Sequence, residues 1–547
     1  MQALLDARAR STASFTVPPA PDPAARPEVD ATIVKGGAVG PRDGDLDQQI
    51  QRFLGEPGIS RFIADYGGRP PFAAAYAIAQ TADHRIWIAG RVGGTSGSQP
   101  TRIGIIQFLA NGALDHGFNV SALGRQYIDV TNPNLEPVAG VAFGEEFLGG
   151  VLYHRFYLLA EDRSNPSQYN FALLCFRRPF DANDPFEPCP GFGTGGVRYY
   201  NANLASGCGT NHSRPQGLAV AAVGSDPPRL LLLGGVQRVF NGCGDYDMAA
   251  LRVDFDGNPD TTFGGFGSGW AVVYAAHDAG NPPFRGSARS AAVLASGQIL
   301  LGGSVTNAGG VEHAIVGALS ASGSVEMSFC HTTDATCDSL PSYRSGTRGF
   351  ASLPNGVVSA IAPLSTGGIA LVRERTVSSD AARVRQISAS GGCAAPLGCN
   401  DLVLAPASGD APLYARAILP RLGPGGTPLP GRFVVAGWGL NTSTAAPNDA
   451  FGLVLAVRDA GGTLAPDPEF ASTPGAGHRN AISWPLAGAP TSVPRDARIF
   501  AARLDRQGRV LIAGASKADP AGPGEYDMGF ARLQGASRMF ADGFESP

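Results

Sequence analysis

The side chains that could bind a metal ion or transfer a proton form no linear motif in this sequence. Its eight histidines show no H-E-x-x-H or other metal-binding spacing. Most of them are therefore expected to be loop or surface residues. Side chains that are distant in sequence can still converge in the folded chain, so a site without a linear motif remains open.

One acidic stretch has the composition of a calcium-binding loop. Asp254, Asp256, Asn258 and Asp260 alternate with other residues, and Ca²⁺ takes roughly six to eight oxygen ligands. The EF-hand pattern, however, requires a different glycine position and a distal glutamate. We interpret the stretch as a turn. We therefore predict no cofactor, with calcium as the alternative.

Two further patterns indicate scaffold rather than chemistry. Asp245-Tyr246-Asp247-Met248 recurs as Glu525-Tyr526-Asp527-Met528, each time directly before an apolar run, so a structural role is favoured over a paired acidic site. Gly-rich stretches such as Gly264-Gly265-Phe266-Gly267 are followed by no helix that could hold a phosphate. No strand–turn–helix context supports a nucleophile elbow.

The eight cysteines form close pairs in loop-like sequence, which favours disulfides and an oxidising compartment. Their spacing is irregular and lacks the C-x2-C signature of zinc sites, so we predict no metal. The expected disulfide-forming residues are, pair by pair, Cys175 and Cys189, Cys208 and Cys243, Cys330 and Cys337, and Cys393 and Cys399.

Composition excludes several classes of function. The 547 residues are 44% hydrophobic and 16% charged, with a net charge of −4, and no Lys/Arg cluster stands out, so no nucleic-acid partner is expected. No run of about 18 apolar residues predicts a membrane span. The first residues lack the apolar core of a signal peptide. We nevertheless expect an extracellular, cell-surface or periplasmic monomer. Either a signal peptide lies upstream of this chain, which we favour, or export uses another route.

A short apolar pattern recurs along the chain and dominates its organisation. Clear copies end at Gly90, Gly234, Gly302, Gly437 and Gly514, and weaker copies end at Ala160 and Val372. The mean spacing is (514 − 90)/6, about 71 residues, which is longer than the ~40–50 residues of common propeller repeats. The excess indicates long loops.

Each copy is embedded in four short apolar runs separated by turns. Several of these runs are apolar on both faces, as in sheets that are packed on both sides. Four-stranded sheets stacked around an axis are propeller blades. The sequence therefore predicts an all-β fold, a β-propeller of seven four-stranded blades.

The repeats resemble the delta-60 repeat family of bacterial proteins, most closely in the segment from Asp247 to Gly264. The resemblance runs from about Gly44 to Leu533. It implies a propeller-like surface or secreted protein. It carries no catalytic residues across, because the family has no established common activity.

The domain organisation follows from how the repeats end. The last unit stops after the run Met528–Leu533, and the N-terminal segment 41–65 contains the missing piece, including Ile59–Ile63. We expect this segment to close the last blade, because closure removes exposed sheet edges. The predicted divisions are an extended or disordered segment 1–40, a propeller 41–534 and a C-terminal tail 535–547.

Function is less determined than fold. The leading hypothesis is a binding module whose ligand, an unknown protein or glycan, meets the long loops of one face. Those loops are 91–102, 235–246, 303–313, 438–450 and 515–525. The alternative is a propeller enzyme, a hydrolase, lyase or quinoprotein, acting on carbohydrate in a central funnel. A purely structural extracellular role is the third hypothesis.

Overall fold

The structure is a computed structural model of the whole chain. It describes residues 59–62, 72–81, 84–93, 102–118, 124–130, 132, 134–148, 151–179, 185–205, 209–221, 227–238, 245–265, 267–273, 285–306, 312–326, 328–329, 350–353, 356–363, 369–374, 383–387, 402–403, 414–422, 428–441, 449–459, 464–467, 470, 479–482, 497–505, 508–517 and 526–533.

The described chain is all-β, as the sequence predicts. The strands are β1 (Ile59–Phe62), β2 (Phe72–Gln80), β3 (Ile86–Gly93), β4 (Arg102–Phe108), β5 (Arg125–Asp129), β6 (Leu135–Leu148), β7 (Val151–Asn165), β8 (Gln168–Pro179), β9 (Glu187–Pro188), β10 (Val197–Tyr200), β11 (Ser213–Ala221), β12 (Arg229–Arg238), β13 (Asp245–Val253), β14 (Trp270–Val273), β15 (Arg285–Val293), β16 (Ile299–Thr306), β17 (Glu312–Leu319), β18 (Phe350–Leu353), β19 (Val357–Pro363), β20 (Ile369–Glu374), β21 (Arg383–Ile387), β22 (Leu402–Val403), β23 (Tyr414–Leu422), β24 (Pro428–Asn441), β25 (Asp449–Asp459), β26 (Leu464–Pro466), β27 (Arg479–Ile482), β28 (Ala497–Leu504), β29 (Val510–Lys517) and β30 (Tyr526–Leu533).

These strands form antiparallel meanders, which we number as units in chain order. Units 1 to 6 begin at β2, β6, β11, β15, β19 and β23. A single parallel pair joins unit 3 to unit 4, at Tyr246 and Arg285, and another joins unit 7 to unit 1, at Tyr526 and Phe72, so the described strands form five hydrogen-bonded sheets. Unit 7 consists of β28, β29 and β30, and its fourth strand is β1. Ile59 pairs with Ala531 and Phe62 with Met528, antiparallel. The N-terminal segment therefore supplies the outer strand of the last unit, as the sequence analysis expects.

Each unit packs its faces against two neighbouring units. The buried clusters join unit 1 to unit 2, unit 2 to unit 3, unit 3 to unit 4, unit 4 to unit 5 and unit 6 to unit 7. Contacts of β19 and β20 with β23 join units 5 and 6. A further cluster joins unit 7 to unit 1 through side chains such as Phe530 and Phe108. The packing is therefore cyclic, which explains why both faces of the strands read as apolar.

The first strand of every unit carries a β-bulge at the same place. The pairing register shifts by one residue around Tyr76, Val138, Gln216, Arg289, Ser359, Arg416 and Phe500. A bulge leaves its extra residue unpaired and bends the strand. The seven residues thus leave the hydrogen-bond ladder at equivalent positions.

These bulges explain the glycines of the recurring pattern. A Cβ on Gly90, Gly234, Gly303, Gly437 or Gly514 would lie 1.8 to 2.2 Å from a carbonyl oxygen of the bulged strand. Such an approach of two backbones requires glycine. In unit 4 the required residue is Gly303, one position after the Gly302 that marks the sequence pattern.

A second recurring element closes the opposite ends of the units. The backbone N–H of a buried phenylalanine donates to the carbonyl of the residue three positions earlier, at 2.9 to 3.2 Å. That earlier residue in turn donates its N–H to the third strand. The pairs are Asp115 and Phe118, Cys189 and Phe192, Asp260 and Phe263, Glu326 and Phe329, and Asp467 and Phe470. We call these the Phe turns.

The disulfide occupies the place of a polar contact in this element. Arg252 Nε lies 3.0 Å from Asp260 Oδ2 in unit 3, and Gln107 donates to Asp115 in unit 1. At the same register of unit 2, Cys175 is bonded to Cys189. This predicted disulfide is present in the structure. The cysteines Cys208, Cys243, Cys330, Cys337, Cys393 and Cys399 lie outside the described residues.

Removal of the disulfide by Cys175→Ala with Cys189→Ala is expected to lower the free energy of unfolding by about 3 kcal/mol, because a cross-link over a loop of this length restricts the unfolded chain by about that amount. The two cysteines are 14 residues apart. Cys175→Gln with Cys189→Asp, which copies unit 1, should recover part of the loss. Urea unfolding midpoints of the three proteins test this. Equal midpoints for wild type and the double alanine variant would contradict it.

Candidate functional site

The first strands lie at the centre of the cyclic arrangement. Each contacts the first strands of its two neighbours, in the order β2, β6, β11, β15, β19, β23, β28 and back to β2. The bulged residues therefore face a common centre. We call Tyr76, Val138, Gln216, Arg289, Ser359, Arg416 and Phe500 the bulge ring. Six of these residues are exposed or half-buried, and Ser359 is buried.

Side chains of the bulge ring from different units come together. The rings of Tyr76 in unit 1 and Phe500 in unit 7 have centroids 5.5 Å apart, tilted by 38°. Burial raises the pKa of Tyr76, while the charges of Arg91 and Arg416 act to lower it and that of Glu136 to raise it. Arg416 belongs to unit 6, two units from Tyr76. The first strands of units 6, 7 and 1 are neighbours around the centre, so Arg416, Phe500 and Tyr76 lie on consecutive strands.

The neighbouring charged side chains join adjacent units in a recurring contact. In each contact, one partner is the residue that directly follows the end of the recurring pattern in one unit. The other partner lies in the first strand of the next unit, two positions before its bulge. The three observed pairs are Arg91 with Glu136 at 3.3 Å, Glu161 with Arg214 at 3.9 Å and Trp438 with Arg498, whose Cζ lies 5.0 Å from a ring centroid. These residues hold the units together and are less available to a ligand.

The two glutamates of these pairs are each shared by arginines. Arg163 pairs with Glu136 and, at 2.5 Å, with Glu161. Each glutamate thus contacts a second guanidinium group, which is that of Arg91 for Glu136 and that of Arg214 for Glu161. Their negative charge is therefore locally compensated and does not neutralise the bulge ring.

The first strands carry an excess of positive charge at this end. From the first residue of each first strand to its bulge, the charged residues are Arg214, Arg285, Arg289, Arg416 and Arg498, against Glu136. Arg289 lies 3.7 Å from Glu312. Arg416 is half-buried, and it forms no ion pair with a carboxylate of the described residues. A guanidinium held in this way can bind a carboxylate, sulfate or phosphate through a pair of N–H groups.

A cluster of titratable side chains lies beside the bulge ring between units 2 and 3. Arg214 is hydrogen-bonded to Tyr246, and its Cζ lies 4.9 Å from the ring centroid of Tyr169. Burial raises the pKa of Tyr246. Burial, together with Arg214, lowers the pKa of His212, whose Nδ1 accepts the Tyr169 N–H at 3.1 Å. The lowered pKa favours the neutral imidazole, whose Nδ1 is the hydrogen-bond acceptor.

The acidic stretch considered for calcium is a turn. Asp254 accepts hydrogen bonds from the backbone N–H groups of Asp256 and Asn258, at 2.9 and 2.8 Å. Asp260 accepts from Thr262 and Arg252. These oxygens are therefore engaged within the scaffold. Among the residues that the structure describes, no group of three or more His, Cys, Asp or Glu side chains is placed to hold a metal ion.

The duplicated acidic tetrapeptide also has structural contacts. Asp247 lies 2.9 Å from Arg238, and Met248 is fully buried. The residues of the second copy whose side chains are described include Met528, also buried. The five long loops that the sequence analysis singled out lie largely outside the described residues.

The bulge ring was missed by sequence reasoning, which looked for ligand contacts in the loops. Its signal was present but indirect. In four units a polar or charged residue, Gln216, Arg289, Ser359 or Arg416, interrupts the small and apolar residues of the strand before the recurring pattern. Only the register shift shows that this residue leaves the ladder.

Comparison with known proteins adds little. No protein-family model matches the chain, and no curated protein matches its sequence. The described part of the chain contains no helix long and apolar enough to span a membrane.

Some solved structures align with much of the chain, at low similarity. A Trypanosoma rangeli sialidase is 10% identical with a TM-score of 0.37, over 77% of this chain and 58% of the sialidase. The chain thus spans little more than half the length of that protein. Polysaccharide lyase Uly1 is 9% identical with a TM-score of 0.40, over 91% and 97% of the two chains. A Dyadobacter fermentans protein of unknown function is 12% identical with a TM-score of 0.34, over 73% and 99%. At these TM-scores the likeness supports no inference about activity.

Proposed function

We propose that the chain is a seven-bladed β-propeller in which each unit is one blade. The support is the cyclic packing of seven four-stranded units, together with the pairing of β1 with β30. Stacking of four-stranded sheets about an axis leaves only short, protected edges. Membership of the delta-60 repeat family, on the residues from Asp247 to Gly264, is part of this proposal.

We propose further that the propeller is a secreted or cell-surface binding module, and that its ligand is anionic and binds at the bulge ring. One observation supports this most directly: Arg416 is the bulge residue of a first strand at the centre, and it forms no ion pair with a carboxylate of the described residues. Leaving a charged group without a partner costs stability unless a ligand or water completes it. Arg289 and Gln216 line the same centre and supply further N–H donors.

Replacement of Arg416 by glutamine is expected to weaken binding of a polyanion by about tenfold to one-hundredfold, because a charge-assisted pair contributes about 1.5–3 kcal/mol. Binding of fluorescein-labelled heparin oligosaccharide and of polyglutamate, measured by anisotropy at two salt concentrations, tests this. Wild-type affinity should fall as salt rises, because the attraction is screened.

Arg229→Gln is the matched control for this experiment. Arg229 is a half-exposed arginine at the opposite end of unit 3, 3.9 Å from Asp260. Its replacement should leave polyanion affinity within about twofold, as for a weak surface ion pair. Equal loss in both variants, or no loss in Arg416→Gln, would refute binding at the bulge ring.

A second candidate function is an enzyme that acts on carbohydrate at the same centre, where the first strands meet. The observation that favours it is the contact of Tyr246 with Arg214, whose guanidinium also lies near Glu161. A tyrosine next to a carboxylate and an arginine can take part in proton transfer. Incubation with acidic and neutral polysaccharides, followed by reducing-end and unsaturated-product assays, tests this. If the wild type forms product and the Tyr246→Phe variant does not, an activity is established. If the wild type forms no product, the binding function is left.

A further inference from the structure

We infer that the ligand of the bulge ring is an acidic saccharide, a chain of pyranose rings that carry carboxylates or sulfates. The inference rests on the proposed anion-binding function and adds the chemical class of the ligand. It is drawn from the order of side chains around the centre. Arg416, Phe500 and Tyr76 come from consecutive units 6, 7 and 1.

The aromatic part of this arrangement offers an apolar surface beside a cation. Phe500 and Tyr76 are each half-buried, and their ring planes differ by 38°. They form an open, angled surface and not a parallel slot. The C–H face of a pyranose can pack on such a surface while a substituent on its edge reaches the guanidinium.

The rest of the bulge ring is polar, which favours a sugar over an aromatic acid. Gln216 is exposed, and Arg289 and Arg416 are half-buried. A flat aromatic acid would cover the aromatic pair but supply few groups for these donors, and each polar group deprived of water without a new partner lowers affinity. Sugar hydroxyls donate and accept hydrogen bonds in several directions, so they match a surface with both donors and acceptors.

The described charges do not favour a neutral saccharide. Of the five arginines that the first strands carry at this end of the units, Arg214 lies 3.9 Å from Glu161 and Arg289 lies 3.7 Å from Glu312, so the anion is expected to meet Arg416. The one glutamate there, Glu136, is already paired with Arg91 and Arg163. A neutral sugar would leave Arg416 without an anion, whereas a uronate or sulfated sugar would provide one.

Three probes separate these contributions: hexagalacturonate, maltohexaose and hexaglutamate. Isothermal titration at low salt should give hexagalacturonate a Kd at least about tenfold lower than that of either other probe. Phe500→Leu keeps the side chain apolar but removes its ring. It should raise the Kd for hexagalacturonate about tenfold, the upper end of what an aromatic contact contributes, and change that for hexaglutamate less than about twofold.

Tyr199→Leu is the control for loss of an aromatic ring, because Tyr199 is 43% exposed on the outer part of unit 2. It should bind all three probes like the wild type. Equal affinity for hexagalacturonate and hexaglutamate, both unaffected by Phe500→Leu, would overturn the saccharide inference. The anion-binding function would then still stand, provided that Arg416→Gln weakens both probes. Absence of binding to all three probes would refute both.

Discussion

Replacement of Gly234 by alanine is expected to lower the free energy of unfolding by about 3 kcal/mol, as for a severe steric overlap in a packed core. A Cβ at this position would lie 2.0 Å from the carbonyl oxygen of Arg214 and 2.6 Å from Cζ of Phe171. The first contact is with the backbone of the bulged strand, which can move only if the bulge is lost. The second is with a fully buried ring of unit 2.

Gly265→Ala is the matched control for this prediction. Gly265 lies in the Phe-turn region of the same unit, and a Cβ there would meet no atom within 4 Å. Its replacement should change stability by less than about 0.5 kcal/mol. Guanidinium unfolding of both variants, with unchanged slope, measures the difference. Equal stability of the two variants would show that the bulge tolerates a side chain and that the glycine pattern has another cause.

Deletion of residues 1–65 is expected to destabilise the protein by about 2 kcal/mol, since four cross-strand pairs are lost, and to promote aggregation. The deletion removes β1 and leaves the outer edge of β30 without its partner strand. Met528 and Phe530, buried in the complete chain, lie on the strand so uncovered. An unpaired edge of this kind favours association with other chains.

Addition of the missing segment in trans distinguishes this effect from general damage. A synthetic peptide of residues 41–65 should raise the melting temperature of the deletion variant as its concentration rises, because it binds only the folded state. A peptide of the same composition in scrambled order should not. Unchanged thermal unfolding after the deletion would contradict a shared last unit.

Much of the scaffold could be predicted from the sequence because it repeats. The run Val510–Ala513 lies within strand β29, and the expected strand at Ile59–Ile63 is observed as Ile59–Phe62. The glycines recur because a carbonyl oxygen occupies the space of their Cβ atoms. The phenylalanines recur because the Phe turns place each of them in a buried position. Such local requirements are the same in many units, so the same residue types recur along the sequence.

The candidate site could not be predicted in this way, because its residues do not resemble one another. Tyr76, Arg416 and Phe500 come from three different repeats, and the residue type at the bulge changes from most units to the next. Nothing local distinguishes them from surface residues. Their proximity follows from the cyclic packing of the units, which brings the first strands to one centre.

Cys175, Cys189 and His212 show the same difference between what is predictable from sequence and what is not. The pairing of Cys175 with Cys189 follows from their short separation and matches the structure. The surroundings of His212, in contrast, come from two units: Tyr169 donates its backbone N–H to the imidazole, and Arg214, together with burial, lowers the pKa of His212. The sequence by itself determined the all-β class and many of the strands and turns, because hydrophobic burial and backbone sterics act over a few residues. The tertiary structure alone decided which charges meet which, because ion pairs and ring contacts depend on distances that only the closed packing sets.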